Sequence, residues 1–456
     1  MNTIAFLRQE KRRLSFGVTF ALFSSFGQTY FLSLFVPSFL VAFELSNASF
    51  GSIYSTATIL GALLFPWVGQ LIDRIPLRNY TIFVASGLLL ASFTLSLAWH
   101  VAVLFVALVL LRLFGQALSS HASSSSMARF FVAERGKALS IASVGFPLGE
   151  AIFPTVITGL LAVVSWRISW VLFTVVILFL FFPALSFLTR RETEDPLEAD
   201  VSDGAAGGSA GGASGGEESV GGVRDDGNGS GDGVGGVRDD GAGNDGAGAD
   251  GKASRPGVWQ SYGRVLGDSR TYFVLPAILI PPFWGTGLFL YQVAAAESLG
   301  WSASLIATAF IFFAFTRIAF ALLSGPVIDR FSAQSLFPIY LMPLTGGLAA
   351  ALFLPGDLSA YLYLGLIGAT FGLGSTLKSA LWAELYGTRV IGTVQSLFGT
   401  LMVISTAISS VIVGWMLDEL FTMLQILEMA LWTTAAGLII SVGITKAERG
   451  ERPVHT

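Results

Sequence analysis

The sequence predicts an all-α membrane protein whose twelve transmembrane helices form two pseudo-symmetric six-helix bundles. Of its 456 residues 53% are hydrophobic and only 12% are charged, whereas soluble domains carry roughly a quarter charged residues. A charged turn, Gly69–Arg78 (GQLIDRIPLR), closes one apolar run, and Gly325–Arg330 (GPVIDR) repeats its G-x-x-x-D-R half after another. Two copies of one turn, each at the end of an apolar run, indicate a duplicated membrane unit.

The apolar runs divide evenly between the two halves. A helix that crosses a membrane needs about 20 apolar residues, and windows of that size predict six spans in each half. The first six cover 14–43, 48–71, 79–99, 101–126, 137–163 and 168–189. The second six cover 272–296, 302–328, 333–354, 359–384, 389–417 and 420–444.

The orientation follows from the distribution of lysine and arginine. Bases concentrate in the loops on one side of the predicted membrane, which marks that side as cytoplasmic. The opposite turns carry one base, Arg167, and several acids: Glu44, Glu297, Asp357, Asp418 and Glu419. We therefore expect a multi-pass protein of the cell membrane with both termini in the cytoplasm. The basic N-terminus has no cleavage motif, so the first apolar run is expected to be a retained helix.

A third segment separates the bundles. Residues 192–256 are rich in Gly, Ala, Ser and Asp and carry 15 acidic against 4 basic residues. Such a composition buries too little apolar surface to offset the entropy of ordering. We predict a disordered cytoplasmic linker between bundle 1–191 and bundle 257–456, acting as a tether that allows the halves to rock. Deletion of Gly204–Gly251 is expected to leave transport largely intact.

The composition also excludes several classes of function. The sequence has no Cys, and its three His are scattered at His100, His121 and His455, so neither a thiolate nucleophile nor a metal-ligand cluster is available. We expect no enzymatic activity, no cofactor, no metal and no nucleic-acid partner, and a monomer in the lipid bilayer. A non-transporting sensor is an alternative, but the linker offers no apolar periodicity for a signalling module.

The turn, its repeat and the long central loop resemble the major facilitator superfamily. The turn matches that family's G-x-x-x-D-R signature with a further base at Arg78, and Arg112-x-x-Gly115 resembles its intramembrane arginine motif. Within the family, Gly27–Phe31 (GQTYF) and Glu384–Arg389 (ELYGTR) are most similar to the monocarboxylate and oxalate–formate branch. The resemblance implies transport by alternating access, with spans one, four, seven and ten lining a central cavity. It also implies a substrate-binding arginine in span eight.

Three bases lie inside apolar runs, and such residues usually mark a transport pathway. Arg317 lies 12 residues before Asp329, roughly 18 Å from the turn along a helix. Its guanidinium matches a carboxylate in a bidentate manner, so we expect it to bind an anionic substrate. The alternative is a structural ion pair with Glu150. Lys378 either assists Arg317 in the cavity or extends its amine outward to the membrane surface.

The third base, Arg112, is expected to pair with Glu150 at a similar depth on the next span. If this pair has a function in transport, Glu150 takes up a proton during the cycle and Arg112 also contacts the substrate. The alternative is a static pair that holds the helices in register. His121 could relay a proton or simply bond within its polar helix face.

Four further polar residues are candidates for the cavity wall because their spans line the cavity in the resembling family. They are Gln28, Tyr30, Tyr291 and Gln292. For each of them, ordinary packing between helices is the alternative. The Pro281-Pro282 pair is expected to break span seven, with Phe283 and Trp284 forming a gate.

The repeated turn itself is interpreted as a cytoplasmic gate. Its residues Gly69, Asp73, Arg74 and Arg78 are expected to act together through a contact between Asp73 and Arg129. In the second half the corresponding set is Gly325, Asp329, Arg330, Glu384 and Arg389. Breaking and remaking these contacts would accompany opening toward the cytoplasm.

Together these observations predict a secondary active transporter for a small organic anion such as a monocarboxylate, with proton symport through Glu150 as a further expectation. An exporter of drugs or amphipathic metabolites is the alternative within the family.

Overall fold

The computed structural model describes residues 3–131, 134–189, 263, 265–386, 391–419 and 421–444. The predicted linker 192–256 lies outside the described residues. Within the described ranges the regular structure is helical, as expected for a chain that must satisfy every backbone polar group inside a bilayer. The all-α prediction is therefore confirmed.

The first half contains a series of helices that alternate with short irregular segments. They are α1 (Thr3–Gln9), α2 (Lys11–Phe23), α3 (Thr29–Ser33), α4 (Val36–Phe43), α5 (Asn47–Gly69), α6 (Leu77–Ser96), α7 (Val101–Leu110), α8 (Ser119–Phe130), α9 (Arg135–Ser143), α10 (Gly145–Val163), α11 (Trp166–Val176) and α12 (Phe182–Leu188). Turns of 3₁₀ helix cover Ser24–Gly27 and Gln70–Asp73, and π-helical segments cover Leu111–Leu118 and Ile177–Phe181.

The second half has longer uninterrupted helices. They are α13 (Ser269–Leu290), α14 (Gln292–Ser298), α15 (Ala303–Phe331), α16 (Ala333–Leu336), α17 (Met342–Phe353), α18 (Leu358–Tyr386), α19 (Ile391–Glu419) and α20 (Met423–Ser441). A 3₁₀ segment, Phe337–Leu341, joins α16 to α17.

When consecutive helical segments such as α7, Leu111–Leu118 and α8 are counted as one helix, eleven helices among the described residues are long and apolar enough to cross a membrane. The twelfth span is the first apolar run, which is broken into α2, the 3₁₀ turn, α3 and α4. The break centres on Gln28, whose backbone is extended at φ −81° and ψ 151°. The twelve-helix prediction therefore holds, and the sequence alone did not reveal this interruption.

In the described residues the two bundles meet mainly along two pairs of helices, with a smaller contact between α3 and α13. Helix α5 packs against α19, and α10 packs against α15. Within the second half, α15 lies against α18 over much of its length. Because α10 and α15 face each other, residues at the middle of these two helices meet across the boundary between the bundles.

The expected break at Pro281-Pro282 is absent, because α13 continues through both prolines. Hydroxyl groups of α19 support this stretch: Ser405 donates to the Leu279 carbonyl and Ser409 donates to the Phe283 carbonyl. These bonds hold α13 against α19 on either side of the prolines, whereas the carbonyls that Pro281 and Pro282 leave without a helical donor are those four residues earlier. The discontinuity in this span lies further along, at Tyr291 (φ −107°, ψ 27°).

Candidate functional site

A cavity of about 360 Å³ lies between the bundles. This volume falls within the range of typical small-molecule sites. Its charged lining residues are Glu150, Arg317 and Lys378. Polar residues and an apolar wall complete it: Gln28, Thr29, Tyr30, Gln116, Thr286, Tyr340, Ser375 and Thr406, with Pro281, Pro282, Gly285, Phe289, Phe371 and Met402.

The principal contact in this cavity is an ion pair between the halves. Arg317 Nη1 on α15 donates to Glu150 Oε1 on α10. The Glu150 side chain is 8% exposed and that of Arg317 is 30% exposed. Glu150 Oε2 has no hydrogen-bond partner in the part of the chain that the structure describes. The carboxylate is therefore bound through one oxygen, and the guanidinium keeps a partly open face toward the cavity.

Glycines bring the arginine close to its neighbouring helix. A Cβ at Gly372 of α18 would clash with the backbone oxygen of Arg317, and one at Gly368 would clash with that of Phe313. Small residues at this spacing allow membrane helices to approach closely. The same close approach places Lys378, also on α18, on the same cavity as Arg317.

Glycines position the glutamate in a similar way. A Cβ at Gly149 would clash with the Ser25 hydroxyl, and one at Gly145 would clash with the Val18 carbonyl. Helix α10 can therefore lie directly against the broken first span. The glycines at positions 145 and 149 thus have a packing role.

Lys378 is a half-buried residue of the cavity wall. In the described part of the chain its amine forms neither an ion pair nor a hydrogen bond. It therefore supplies the cavity with a positive charge that Glu150 does not neutralise. Of the two interpretations of Lys378, its position favours the one in which it lies beside Arg317 in the cavity.

The prediction that Arg112 pairs with Glu150 is wrong. Arg112 Nη1 donates to the Gly27 carbonyl at 2.9 Å, and its guanidinium lies over the Tyr54 ring at 5.1 Å from the centroid. Arg112 is 6% exposed and is not among the cavity-lining residues. The break in the first span frees the Gly27 carbonyl, and Arg112 satisfies it, because an unpaired carbonyl at this depth is costly.

The four predicted polar residues separate into two groups. Gln28 and Tyr30 line the cavity as expected. Tyr291 and Gln292 instead connect the halves: Tyr291 donates to the Asn47 carbonyl at 2.8 Å, and Gln292 donates to Ser33 Oγ at 2.8 Å. The discontinuity between α13 and α14 turns these side chains toward the first bundle and away from the cavity.

A carboxylate that the site prediction missed joins the two bundles near Tyr291. Asp418 of α19 accepts hydrogen bonds from the Asn47 backbone N–H, the Asn47 side-chain amide and the Ala48 N–H, at 3.0, 2.9 and 2.6 Å. It thus caps the first turn of α5 from the opposite half, where the helix dipole also favours an anion. We call this end of the molecule the cap end, and the end that carries Asp73 the turn end.

Gln116 is a second residue that the sequence reasoning missed. It lies in the π-helical segment Leu111–Leu118, and its backbone N–H lies beside Gly27 at the break. Its side chain lines the cavity. A signal existed in the sequence, because Gln116 directly follows Gly115 of the intramembrane arginine motif.

His121 lies away from the cavity. Its Nδ1 is 3.2 Å from Ser125 Oγ, and its ring contacts that of Phe65. His121 is not among the residues that line the central cavity. This position is the one expected from bonding within its polar helix face.

The contact between Asp73 and Arg129 is present as predicted. Arg129 Nη2 donates to Asp73 Oδ1, and its Nη1 donates to the Ile72 carbonyl at 3.1 Å. The other members of the turn behave differently: Arg74 donates to Gln70 at 3.0 Å, and Arg78 is exposed. The contact joins two segments of the first half, and its role as a gate stays a prediction.

The second turn has a related arrangement. The Glu384 carboxylate accepts from the backbone N–H groups of Ala333 and Gln334, at 2.8 and 3.0 Å, directly after the turn. Arg330 lies over the Phe331 ring. A Cβ at Gly325 would meet open space, so packing does not require this glycine. The Asp329 side chain and Arg389 lie outside the described residues.

Two helical bundles around a central charged cavity define a membrane transporter. The family model described as Major Facilitator Superfamily matches residues 18–410. The chain belongs to this superfamily. A comparison with curated proteins gave no match.

Solved structures of transporters share the fold. A D-xylose-proton symporter matches with a TM-score of 0.65 at 15% identity, covering 95% of this chain and 96% of that one. A bacterial homolog of the human lysosomal transporter Spinster, in an inward-facing and unoccupied conformation, matches with 0.61 at 15%, covering 95% of each chain. The nucleoside transporter NupG matches with 0.63 at 11%, covering 98% and 99%. These identities establish a common fold and leave the substrate open.

Proposed function

We propose that this protein is a secondary active transporter that moves a small organic anion by alternating access, with a proton as coupling ion. The observation that carries the proposal is the ion pair between Arg317 and Glu150, which joins the two halves in the cavity wall. Lys378 on the same wall makes the cavity electropositive even while the pair is intact.

The ion pair supplies a mechanism for coupling. A substrate carboxylate that approaches Arg317 must compete with the Glu150 carboxylate for the same guanidinium. Displaced from its partner, Glu150 is left buried with a charge, which is costly unless it takes up a proton. Anion binding and proton binding would then occur together, which is the condition for symport.

The groups around Glu150 are consistent with this exchange. Arg317 faces it from α15, Tyr30 lines the same small recess from the first span, and Lys378 lies on the wider cavity. Because α10 and α15 belong to different halves, breaking the pair also releases a contact between the bundles. Substrate binding would thereby affect the movement of one bundle against the other.

We further propose that the turn end faces the cytoplasm and that the chain acts as a monomer in the cell membrane. The concentration of lysine and arginine in the turn-end loops supports this orientation. A cysteine introduced at Asp357, in the α17–α18 turn, should react with a membrane-impermeant reagent in intact cells, because this turn would lie outside the cell. The native chain has no cysteine, so any labelling reports on the introduced residue. Labelling only after cell lysis would overturn the orientation.

We also propose that the protein belongs to the monocarboxylate branch of the superfamily, because Arg317 can bind a carboxylate. Binding measurements on the purified protein, with a panel of carboxylates and amphipathic cations at an acidic and a neutral pH, test it. We expect carboxylates to bind, and to bind more tightly at the acidic pH. Binding of the cations alone would favour the exporter alternative, for which Phe289 and Phe371 supply an aromatic wall.

A further inference from the structure

We infer that the transported anion carries hydroxyl groups along its carbon chain, and that Gln28 and Gln116 recognise them. This inference rests on the proposed anion transport and names the substrate class more closely. Both glutamines line the cavity. In the described part of the chain, neither side-chain amide has a hydrogen-bond partner.

The backbone around these glutamines is unusual for a membrane helix. Gln28 is the extended residue at the break in the first span, and Gln116 lies in the π-helical segment of the fourth. The two segments touch, since a Cβ at Gly27 would clash with the Gln116 backbone N–H. Irregular backbone at membrane depth is tolerated where it is buried in protein or lines a water-filled cavity, and π-helical turns are frequent at functional sites.

The chemistry of the amide points to hydroxyl groups. A glutamine side chain offers two N–H donors and a carbonyl acceptor. A hydroxyl group both donates and accepts, so it can satisfy either side of an amide. The methylene groups of a plain fatty acid would bury the same amides unpaired, which is unfavourable. The cavity therefore discriminates against an unsubstituted alkyl chain.

The distribution of charge determines how such a substrate would lie. The cations Arg317 and Lys378 belong to the second half, whereas Gln28 and Gln116 belong to the first. Gln28 also lines a small recess together with Arg317 and Glu150, so a carboxylate bound to Arg317 would place its neighbouring hydroxyls beside Gln28, and the substrate would contact both halves at once. The volume of 360 Å³ equals that of roughly a dozen liquid water molecules, which accommodates an acid of several carbons.

Gluconate and hexanoate provide a direct test, because both are six-carbon monocarboxylates and only gluconate carries hydroxyl groups. We expect the native protein to bind gluconate at least about tenfold more tightly, the value expected for one or two hydrogen bonds. Replacement of both amides, Gln28→Leu with Gln116→Leu, should abolish this preference, because gluconate loses its hydrogen bonds and hexanoate binds more tightly once no amide is buried unpaired. Equal binding by the native protein, or a preference that survives in the double variant, would overturn the inference.

Two controls separate this inference from the proposed function. Gln395→Leu replaces an exposed glutamine outside the cavity and should keep the native preference, while thermal unfolding confirms that each variant is folded. Sorbitol, a neutral polyol, should bind weakly. Sorbitol binding as tight as gluconate binding would refute anion transport and retain the role of the amides. Hexanoate binding equal to gluconate binding would refute the role of the amides and retain anion transport.

Discussion

Replacement of Glu150 by glutamine should tighten anion binding, although it removes a partner of the principal ion pair. Glutamine has the same shape and keeps a carbonyl oxygen for Arg317, so the fold should be preserved. Arg317 keeps its charge, so its hydrogen bond to a glutamine carbonyl remains charge-assisted, but the attraction between two opposite charges is lost. We take this loss as about 1 kcal/mol, which corresponds to about fivefold tighter binding of an incoming carboxylate.

The pH dependence provides a second readout of the same variant. In the native protein the displaced Glu150 takes up a proton, so gluconate should bind more tightly at acidic than at neutral pH. Glu150→Gln has no proton to take up there, and its affinity should vary little with pH. Isothermal titration of the purified protein at two pH values measures both effects. Weaker binding by a folded Glu150→Gln variant, or an unchanged pH dependence, would refute the competition between Glu150 and substrate.

Three further predictions concern the gates and the packing. Asp418→Asn removes the negative charge and one acceptor oxygen at the start of α5, a loss of about 1 kcal/mol, and should increase labelling of a cysteine placed in the cap-end interface about fivefold, whereas Glu419→Gln should not. Asp73→Asn removes a partly exposed ion pair worth about 0.2–1 kcal/mol, so turnover should fall up to about fivefold with affinity unchanged. Gly372→Ala should destabilise the protein by about 1–3 kcal/mol through overpacking, measured by thermal unfolding, while Gly325→Ala should not.

Each of these three predictions would be contradicted by a specific result. Equal labelling of the Asp418 and Glu419 variants would show that the cap does not hold the bundles together. Weakened binding with an unchanged rate in Asp73→Asn would count against a gate at the turn. Equal melting temperatures for Gly372→Ala and Gly325→Ala would show that close packing at the arginine-bearing helix is not required.

The sequence predicted those features that depend on position along a single helix. Counting residues from the repeated turn placed Arg317 within the membrane, Lys378 was placed there by its position inside an apolar run, and both line the cavity. It also predicted the contact of Asp73 with Arg129, because a turn and the next helix end on the same side must lie near each other. Depth is set by the rise of 1.5 Å per residue, which needs no knowledge of tertiary packing.

Partners across helices could not be read in the same way. Arg112 and Arg317 lie at similar depths, so depth alone did not decide which of them pairs with Glu150. The choice depends on which helix faces α10, and α15 does. The broken first span then gave Arg112 another acceptor, the Gly27 carbonyl. An apolar run of 30 residues contains no proline at this break, and only Gly27 hints at it.

The central claim is that Arg317 binds the carboxylate of the transported substrate. Its removal in the native protein would leave Glu150 buried and unpaired, so the comparison is best made within the Glu150→Gln background. Exchange of labelled gluconate by proteoliposomes should be at least about tenfold slower for Glu150→Gln with Arg317→Gln than for Glu150→Gln alone, because a charge-assisted hydrogen bond is lost. Equal exchange by the two variants would contradict the account.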